Sequence, residues 1–199
     1  MTSKGLEKST PFAKLLCRLS EAFRKAGIPY MIFGGQAVLI YGEPRFTQDI
    51  DVTVGVGPQE AGVVLAVIKK LKLQTLVDRV AEFLSETFVL PVREPKSGIR
   101  IDIVFALSGF EQEAIESAVE VSISGKPVKF VRREDLLILK TIAGRPRDIE
   151  DIAGILAKKK LSPSSLKHVL FWLQAYDREL DQGFESKFLE VFKSSKKLH

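Results

Sequence analysis

Two aspartates, Asp49 and Asp51, are separated by one residue at the start of an alternating apolar segment that ends at Val54. The alternation predicts a β-strand over residues 49–54. Because side chains two residues apart on a strand share a face, the two carboxylates point the same way, about 7 Å apart along the chain. Carboxylates this close repel one another unless a cation lies between them. We therefore expect a divalent metal ion at this strand.

Two adjacent glycines, Gly34 and Gly35, precede these acids and follow an apolar run over residues 30–33. The pattern predicts a strand that runs into a short helix over residues 36–41. Backbone N–H groups at a helix start lie at the positive end of its dipole, and without Cβ atoms a phosphate can approach them closely. The segment therefore offers a phosphate-binding turn beside a paired-carboxylate metal site, a combination that favours Mg2+ or Mn2+.

A third acidic residue, Asp102, lies in the middle of a predicted strand over residues 99–105, whose other positions are mostly apolar. A carboxylate in such a strand needs a partner. One interpretation is a salt bridge to Arg100 or to another surface base. The other is that Asp102 completes the metal site of Asp49 and Asp51, as a ligand that also helps to deprotonate an attacking hydroxyl group. The upstream pair of aspartates favours the metal site.

The order and spacing of these pieces, Gly-Gly followed after a dozen or so residues by Asp-x-Asp on a strand, resembles the polymerase β-type nucleotidyltransferase superfamily. Within it the chain is most similar to small prokaryotic enzymes related to the AbiEii-type toxins, over roughly residues 30–155. The resemblance implies the minimal nucleotidyltransferase fold, a nucleoside triphosphate (NTP) as substrate, and a third carboxylate on a later neighbouring strand. It therefore supports the assignment of Asp102 to the metal site.

A later segment, KTIAGRPRDIED at residues 140–151, also resembles the AbiEii-related enzymes. The resemblance implies that Lys140 binds the triphosphate and that Asp151, on the following helix, is a supporting acid. Arg147 and Asp148 are further members of the same cluster. The alternatives are a helix lysine that extends to solvent for Lys140 and an acid near a helix N-terminus for Asp151.

The chain departs from the family pattern after the glycines, since Gln36 follows Gly35 where many members have a serine. The serine hydroxyl would help to bind phosphate, so its absence affects the expected strength of triphosphate binding. Arg45 and Thr47, in the loop ahead of the aspartates, can compensate as nucleotide-binding residues. The alternative for Arg45 is a solvated loop residue.

The composition is that of a globular protein, with 199 residues of which 45% are hydrophobic and 28% charged. No apolar run approaches the ~20 residues that span a bilayer, so we expect no membrane partner. The single cysteine, Cys17, suits the reducing cytoplasm, and the presence of only two histidines argues against zinc chemistry and Ser-His-Asp hydrolysis. The net charge of +5 favours a polyanionic partner such as RNA, or simply keeps the protein in solution.

The predicted fold class is α/β (α+β): a short mixed, twisted sheet flanked by helices and followed by a helical C-terminal region. In this prediction residues 1–131 form the nucleotidyltransferase core, and residues 132–199 form helices packed on it. Segment 88–92 is expected to be an edge strand, because Pro91 has no N–H to donate to a central ladder.

These residues predict a Mg2+-dependent enzyme that moves a nucleoside monophosphate from an NTP to a hydroxyl acceptor. The AbiEii resemblance implies an RNA acceptor such as a tRNA 3′ end, in a toxin–antitoxin context with an antitoxin protein as partner. A small-molecule acceptor, as in antibiotic-modifying relatives, stays open, and so does a non-catalytic module that holds RNA or protein on the same fold. A glycosyltransferase could also bind a metal through Asp-x-Asp, but it gives the glycines no role.

Overall fold

The structure is a computed structural model that describes residues 10–196; residues 1–9 and 197–199, which include His199 and the outer ends of both predicted domains, lie outside this part. The chain forms two compact units. The first comprises the residues up to Gln36 together with Phe46–Val131, and the second comprises Ala37–Arg45 together with the residues from Arg132 onward. None of the helices in the described part is both long and apolar enough to cross a membrane.

The first unit contains a mixed seven-stranded sheet. Its strands are β1 (Tyr30–Phe33), β2 (Asp49–Val54), β3 (Gln74–Thr75), β4 (Val89–Arg93), β5 (Arg100–Phe105), β6 (Val119–Ile123) and β7 (Lys126–Phe130). They lie in the order β3-β4-β5-β2-β1-β7-β6. The pairs β2–β5 and β1–β7 are parallel, and the other neighbours are antiparallel. The predicted mixed α/β fold is confirmed.

The first unit also contains helices. They are α1 (Pro11–Lys25), a 3-10 turn at Pro58–Glu60, α3 (Ala61–Lys70), α4 (Val80–Thr87) and α5 (Gly109–Glu116); α2 (Gly34–Tyr41) begins in this unit and continues into the second. Two of these helices, α1 and α5, begin at a residue whose side chain caps the helix. At the start of α1 the Thr10 hydroxyl accepts a hydrogen bond of 3.1 Å from the N–H of Ala13, and Pro11 occupies the first helical position. The apolar stripe of α1 is buried at Leu15, Leu19 and their neighbours, against β6 and β7.

The second unit is helical. It contains α6 (Arg133–Ala143), α7 (Pro146–Lys158), α8 (Pro163–Leu180) and α9 (Phe184–Lys196). Their fully buried apolar side chains form a core of their own, for which Leu137, Ile152, Leu173 and Phe188 are representative. The break between α6 and α7 falls at Gly144, which ends α6 in the left-handed conformation that favours glycine.

Two features of the first unit differ from the sequence-based expectation. The strand that contains Pro91 is not an edge strand, because the two-residue β3 pairs with β4 beyond it. Proline is tolerated here because the neighbouring segment bonds to its carbonyl group and does not need an N–H from it. The N–H of Leu76 donates to the oxygen of Pro91 at 2.9 Å. Helix α5 was not expected at all, although the Ser108–Glu111 capping box that starts it is visible in the sequence.

Candidate active site

The sheet of the first unit brings the three predicted metal ligands to one face. Strands β2 and β5 are parallel neighbours, and their register places Asp51 opposite Asp102 and Asp49 opposite Arg100. Residues directly opposite each other on paired strands share a face. The intervening positions, such as Ile50 and its neighbour in β5, point to the other side and are fully buried. The carboxylates therefore form a compact polar patch on the less buried face of an otherwise apolar pair of strands.

Gly34 lies against this patch. It is the first residue after β1, and the last residue of β1, Phe33, is the register partner of Asp51. A Cβ built on Gly34 would lie 2.7 Å from Cγ of Asp51 and closer still to its Oδ2. Gly34 also has a φ of +61°, which lies in the left-handed region. Its conformation favours glycine, and a larger residue at this position would force the Asp51 carboxylate to move.

Arg100 places a positive charge on the same face as the three carboxylates. Its Nε–H donates to Oδ1 of Asp102 at 2.9 Å, and its side chain is 49% exposed. This hydrogen bond, helped by the negative charges of Asp102, Asp49 and Asp51 and opposed by partial burial, raises the pKa of the guanidinium. The salt bridge to Arg100 that the sequence allowed for Asp102 is thus present, and it coexists with the clustering of the three acids.

The donor set fits a divalent cation. Within residues 10–196 no three acidic, histidine or cysteine side chains surround a common metal position, and Asp102 is hydrogen-bonded to Arg100. The backbone nevertheless sets Asp51 and Asp102 directly opposite each other, with Asp49 two positions away on the same face. Three carboxylates at such positions are the hard oxygen ligands that Mg2+ and Mn2+ prefer.

The main chain around Asp49 is held by two neighbouring side chains. The Thr47 hydroxyl lies 3.4 Å and the Gln36 amide nitrogen 3.5 Å from the carbonyl oxygen of Asp49. Gln36 is only 2% exposed, and its Oε1 has no hydrogen-bond partner in the described part of the chain. Thr47 and Gln36 therefore touch the backbone of the site rather than its open face, and Gly35 is buried at the start of α2 beside them.

The second unit contains a separate buried cluster of charges. Arg45 makes a two-pronged hydrogen bond to Asp151, from Nε at 2.8 Å and from Nη2 at 2.9 Å. The Nζ of Lys140 lies 2.7 Å from Asp151 and 2.6 Å from Asp148. The side chains of Lys140, Asp148 and Asp151 are less than 10% exposed, and that of Arg45 is 22% exposed. Two cations and two anions balance, so the cluster is neutral as a whole.

Hydrogen bonding decides the ionisation of Asp151. Burial alone would raise the pKa of this carboxyl, but the hydrogen bonds from Arg45 and Lys140 outweigh burial and hold its pKa below the usual range. Arg147, the remaining predicted member of the cluster, is exposed on α7. The pairing of Arg45 with Asp151, 106 positions apart in the sequence, is one that sequence reasoning missed.

The family of nucleotidyl transferases of unknown function (DUF2204) has a sequence model that matches residues 13–169 of the chain. The matched segment contains every residue predicted for the site. No curated protein is similar enough in sequence to match the chain.

Several solved structures share the fold. The solution structure of the antibiotic-resistance factor ANT(2'')-Ia is similar with a TM-score of 0.62 and 15% sequence identity, over 87% of this chain and 97% of that chain. The crystal structure of ANT(2'')-Ia in complex with adenylyl-2''-tobramycin has a TM-score of 0.53 and 15% sequence identity, over 92% of this chain and 99% of that chain. An antigenic nucleotidyltransferase-like protein from Paracoccidioides brasiliensis has a TM-score of 0.58 and 16% sequence identity, over 90% of this chain and 93% of that chain.

Proposed function

The chain belongs to the DUF2204 family of nucleotidyl transferases, and from this premise we propose that it transfers a nucleoside monophosphate from an NTP to a hydroxyl group of an acceptor. The acceptor oxygen bonds to the α-phosphorus, the bond from that phosphorus to the oxygen bridging to the β-phosphate breaks, and pyrophosphate leaves. The observation that carries the proposal is the register that sets Asp51 opposite Asp102, with Asp49 on the same face and Gly34 against Asp51.

In this proposal Asp49, Asp51 and Asp102 would hold Mg2+ or Mn2+. When bound, the cation would neutralise the triphosphate and favour loss of the acceptor proton. The Asp102 side chain is 23% exposed, so it can accept that proton from a hydroxyl group that approaches from solvent. Gly34 and Gly35 would donate their backbone N–H groups to phosphate oxygens at the start of α2.

We further propose nucleotide-binding roles for Arg45 and Thr47, from their place in the loop before the aspartates, and for Lys140, from the AbiEii resemblance. Asp151 would be a supporting acid, and Arg147 and Asp148 would be further supporting residues. Within the second unit, Asp148 and Asp151 bind the Nζ of Lys140, and Asp151 also binds Arg45.

The acceptor we favour is RNA, in particular a tRNA 3′ end. The support is the resemblance of residues 30–155 to AbiEii-related enzymes and the net charge of +5. In this context an antitoxin protein would restrain the enzyme, and the reaction would take place in the cytoplasm, where NTPs are supplied.

The second candidate acceptor is a small molecule that carries hydroxyl groups. The observation that favours it is the fold shared with ANT(2'')-Ia over 97% of that chain. That protein has been captured with adenylyl-2''-tobramycin, an antibiotic that carries the adenylyl group.

Incubation with each of the four α-labelled NTPs and Mg2+ distinguishes the acceptors. Parallel reactions would contain total RNA or a panel of hydroxylated antibiotics, and each would be repeated with the Asp51→Asn variant. We expect label in RNA from one or more NTPs, and none with the variant. Label in a small molecule alone would identify the small molecule, and not RNA, as the acceptor. Label in neither, with the NTPs intact, would contradict the transfer reaction and favour a non-catalytic binding module.

A further inference from the structure

Arg100 occupies a position from which it competes with any cation for the carboxylates. It is the register partner of Asp49 and lies two residues before Asp102 on the same strand, so its side chain emerges on the same face as all three acids. Its guanidinium is hydrogen-bonded to Asp102 at 2.9 Å. A divalent cation bound to Asp102 would repel the guanidinium of Arg100, because both are positive charges at the same carboxylate.

Without Arg100, the patch would carry three negative charges on two adjacent strands. Such a cluster is destabilised by mutual repulsion unless a cation compensates it. Arg93, in β4, is the register partner of Arg100 and is also exposed. It is one strand further from Asp49 and Asp51, and none of its hydrogen bonds or ion pairs within residues 10–196 reaches the carboxylates. Of these two arginines, Arg100 is therefore the one that compensates this patch.

We propose that Arg100 is a positioning residue that holds the three carboxylates together in the metal-free protein and is displaced from Asp102 when a divalent cation binds. This inference rests on the proposed function, because it concerns the same carboxylates. It gives Arg100 two opposite effects: it stabilises the protein in the absence of metal, and it weakens the binding of metal. A residue that served the fold alone would not have the second effect.

The test is the affinity for Mn2+, measured on the full chain by electron paramagnetic resonance of the free ion, together with thermal unfolding with and without Mn2+. We expect Arg100→Gln to bind Mn2+ roughly tenfold more tightly than the wild type, which is the order of the repulsion between a unit charge and a divalent cation under near-bulk screening. The same variant should unfold at a lower temperature than the wild type in metal-free buffer. Saturating Mn2+ should narrow or reverse that difference, because metal bound to the folded state stabilises it.

Two variants serve as controls. Arg93→Gln removes the same charge from the neighbouring position on the sheet, and we expect its Mn2+ affinity to stay within about threefold of the wild type, since solvent and salt screen the more distant charge. Arg100→Lys keeps the charge and should bind no more tightly than the wild type. If Arg100→Gln lacks a cooperative unfolding transition, Arg100→Met replaces it, because methionine keeps the aliphatic length without the charge.

The outcomes separate this inference from the proposed function. Unchanged or weaker Mn2+ binding by the uncharged Arg100 variants overturns the role of Arg100, and so does an equal gain in affinity for Arg93→Gln. If in the same experiment Asp51→Asn loses Mn2+, the carboxylate site stands without that role. Failure of every protein, including Arg100→Gln, to bind Mn2+ overturns the metal site itself.

Discussion

Replacing Gly34 by alanine tests whether the turn before α2 and the Asp51 carboxylate act as one site. The new Cβ would start 2.7 Å from Cγ of Asp51, whereas ordinary contact begins at 3.4 Å. Cγ must therefore retreat by at least 0.7 Å, the difference between these two distances, and Oδ2 must retreat further. Asp51 is paired with strands on both sides, to Phe33 and to Asp102, so we expect its carboxylate to rotate rather than its backbone to move.

The energetic cost to the fold is small and the cost to the reaction is large. An alanine in the left-handed region costs about 1–2 kcal/mol, and the loss of unfolded-state entropy returns about 0.4–1 kcal/mol of this. The net of about 1 kcal/mol corresponds to a lowering of the melting temperature by about 2–4 °C for a chain of this size. A displacement of catalytic groups by about 1 Å can reduce a rate on the order of 100-fold, and we predict a reduction of that order in kcat/KM.

The matched control is Gly27→Ala. Gly27 has a φ of +68°, but a Cβ placed there would have no atom within 4 Å. The Gly27→Ala protein should therefore show the same small loss of stability, with an unchanged rate of nucleotidyl transfer from an α-labelled NTP. A Gly34→Ala protein that transfers label at the rate of Gly27→Ala would refute the coupling between the turn and Asp51.

Other predictions concern the second unit. Lys140→Met leaves Asp148 and Asp151 buried with one cation fewer, and we expect a loss of about 3 kcal/mol in urea denaturation; Arg147→Met, at an exposed position of the same helix, should stay within about 0.5 kcal/mol. Because the folded-state pKa of Asp151 is lowered, its contribution to stability is present above the unfolded-state pKa and is lost as the pH falls through the folded-state value. The stability difference between the wild type and Asp151→Asn should therefore shrink below about pH 4, and a difference independent of pH would contradict the assignment. Burial, followed by the charge of a neighbouring glutamate, raises the pKa of Tyr41 to about 12. The ultraviolet titration curves of the wild type and Tyr41→Phe should therefore differ near that pH. A difference at about pH 10, where an ordinary tyrosine titrates, would contradict this prediction.

The positions of the acids followed from periodicity, whereas their assembly did not. Alternation over residues 49–54 and 99–105 predicts two strands and the shared face of Asp49 and Asp51. Nothing in either segment specifies that the strands are parallel neighbours, because that pairing is set by long-range topology. The register of Asp51 with Asp102 therefore came only from the structure.

Other parts of the site show the same division between local and long-range information. The helix start at Pro11 and the break at Gly144 follow from local chemistry. The pairing of Arg45 with Asp151 joins residues 106 positions apart, and the close approach of Gly34 to Asp51 is a tertiary contact. Arg100 was visible only as a possible partner of its neighbour, since its position opposite Asp49 depends on the register.

Membership in a nucleotidyl transferase family confirms the superfamily that the sequence resembled. The motif pieces were sufficient for this, because the spacing from Gly-Gly to Asp-x-Asp reflects one helix and the loop that leads into the next strand. The relationship to AbiEii-type toxins, the RNA acceptor and the roles of individual residues stay predictions. They depend on the acceptor-binding surface, for which the chain offers no comparable local pattern.

The most direct test of the central claim compares the wild type with Asp51→Asn in the transfer of label from an α-labelled NTP in the presence of Mg2+. The substitution is nearly isosteric, and the account predicts that transfer falls by at least about a hundredfold while the thermal unfolding transition stays cooperative. A folded Asp51→Asn protein that transfers label within a few-fold of the wild type would contradict the account.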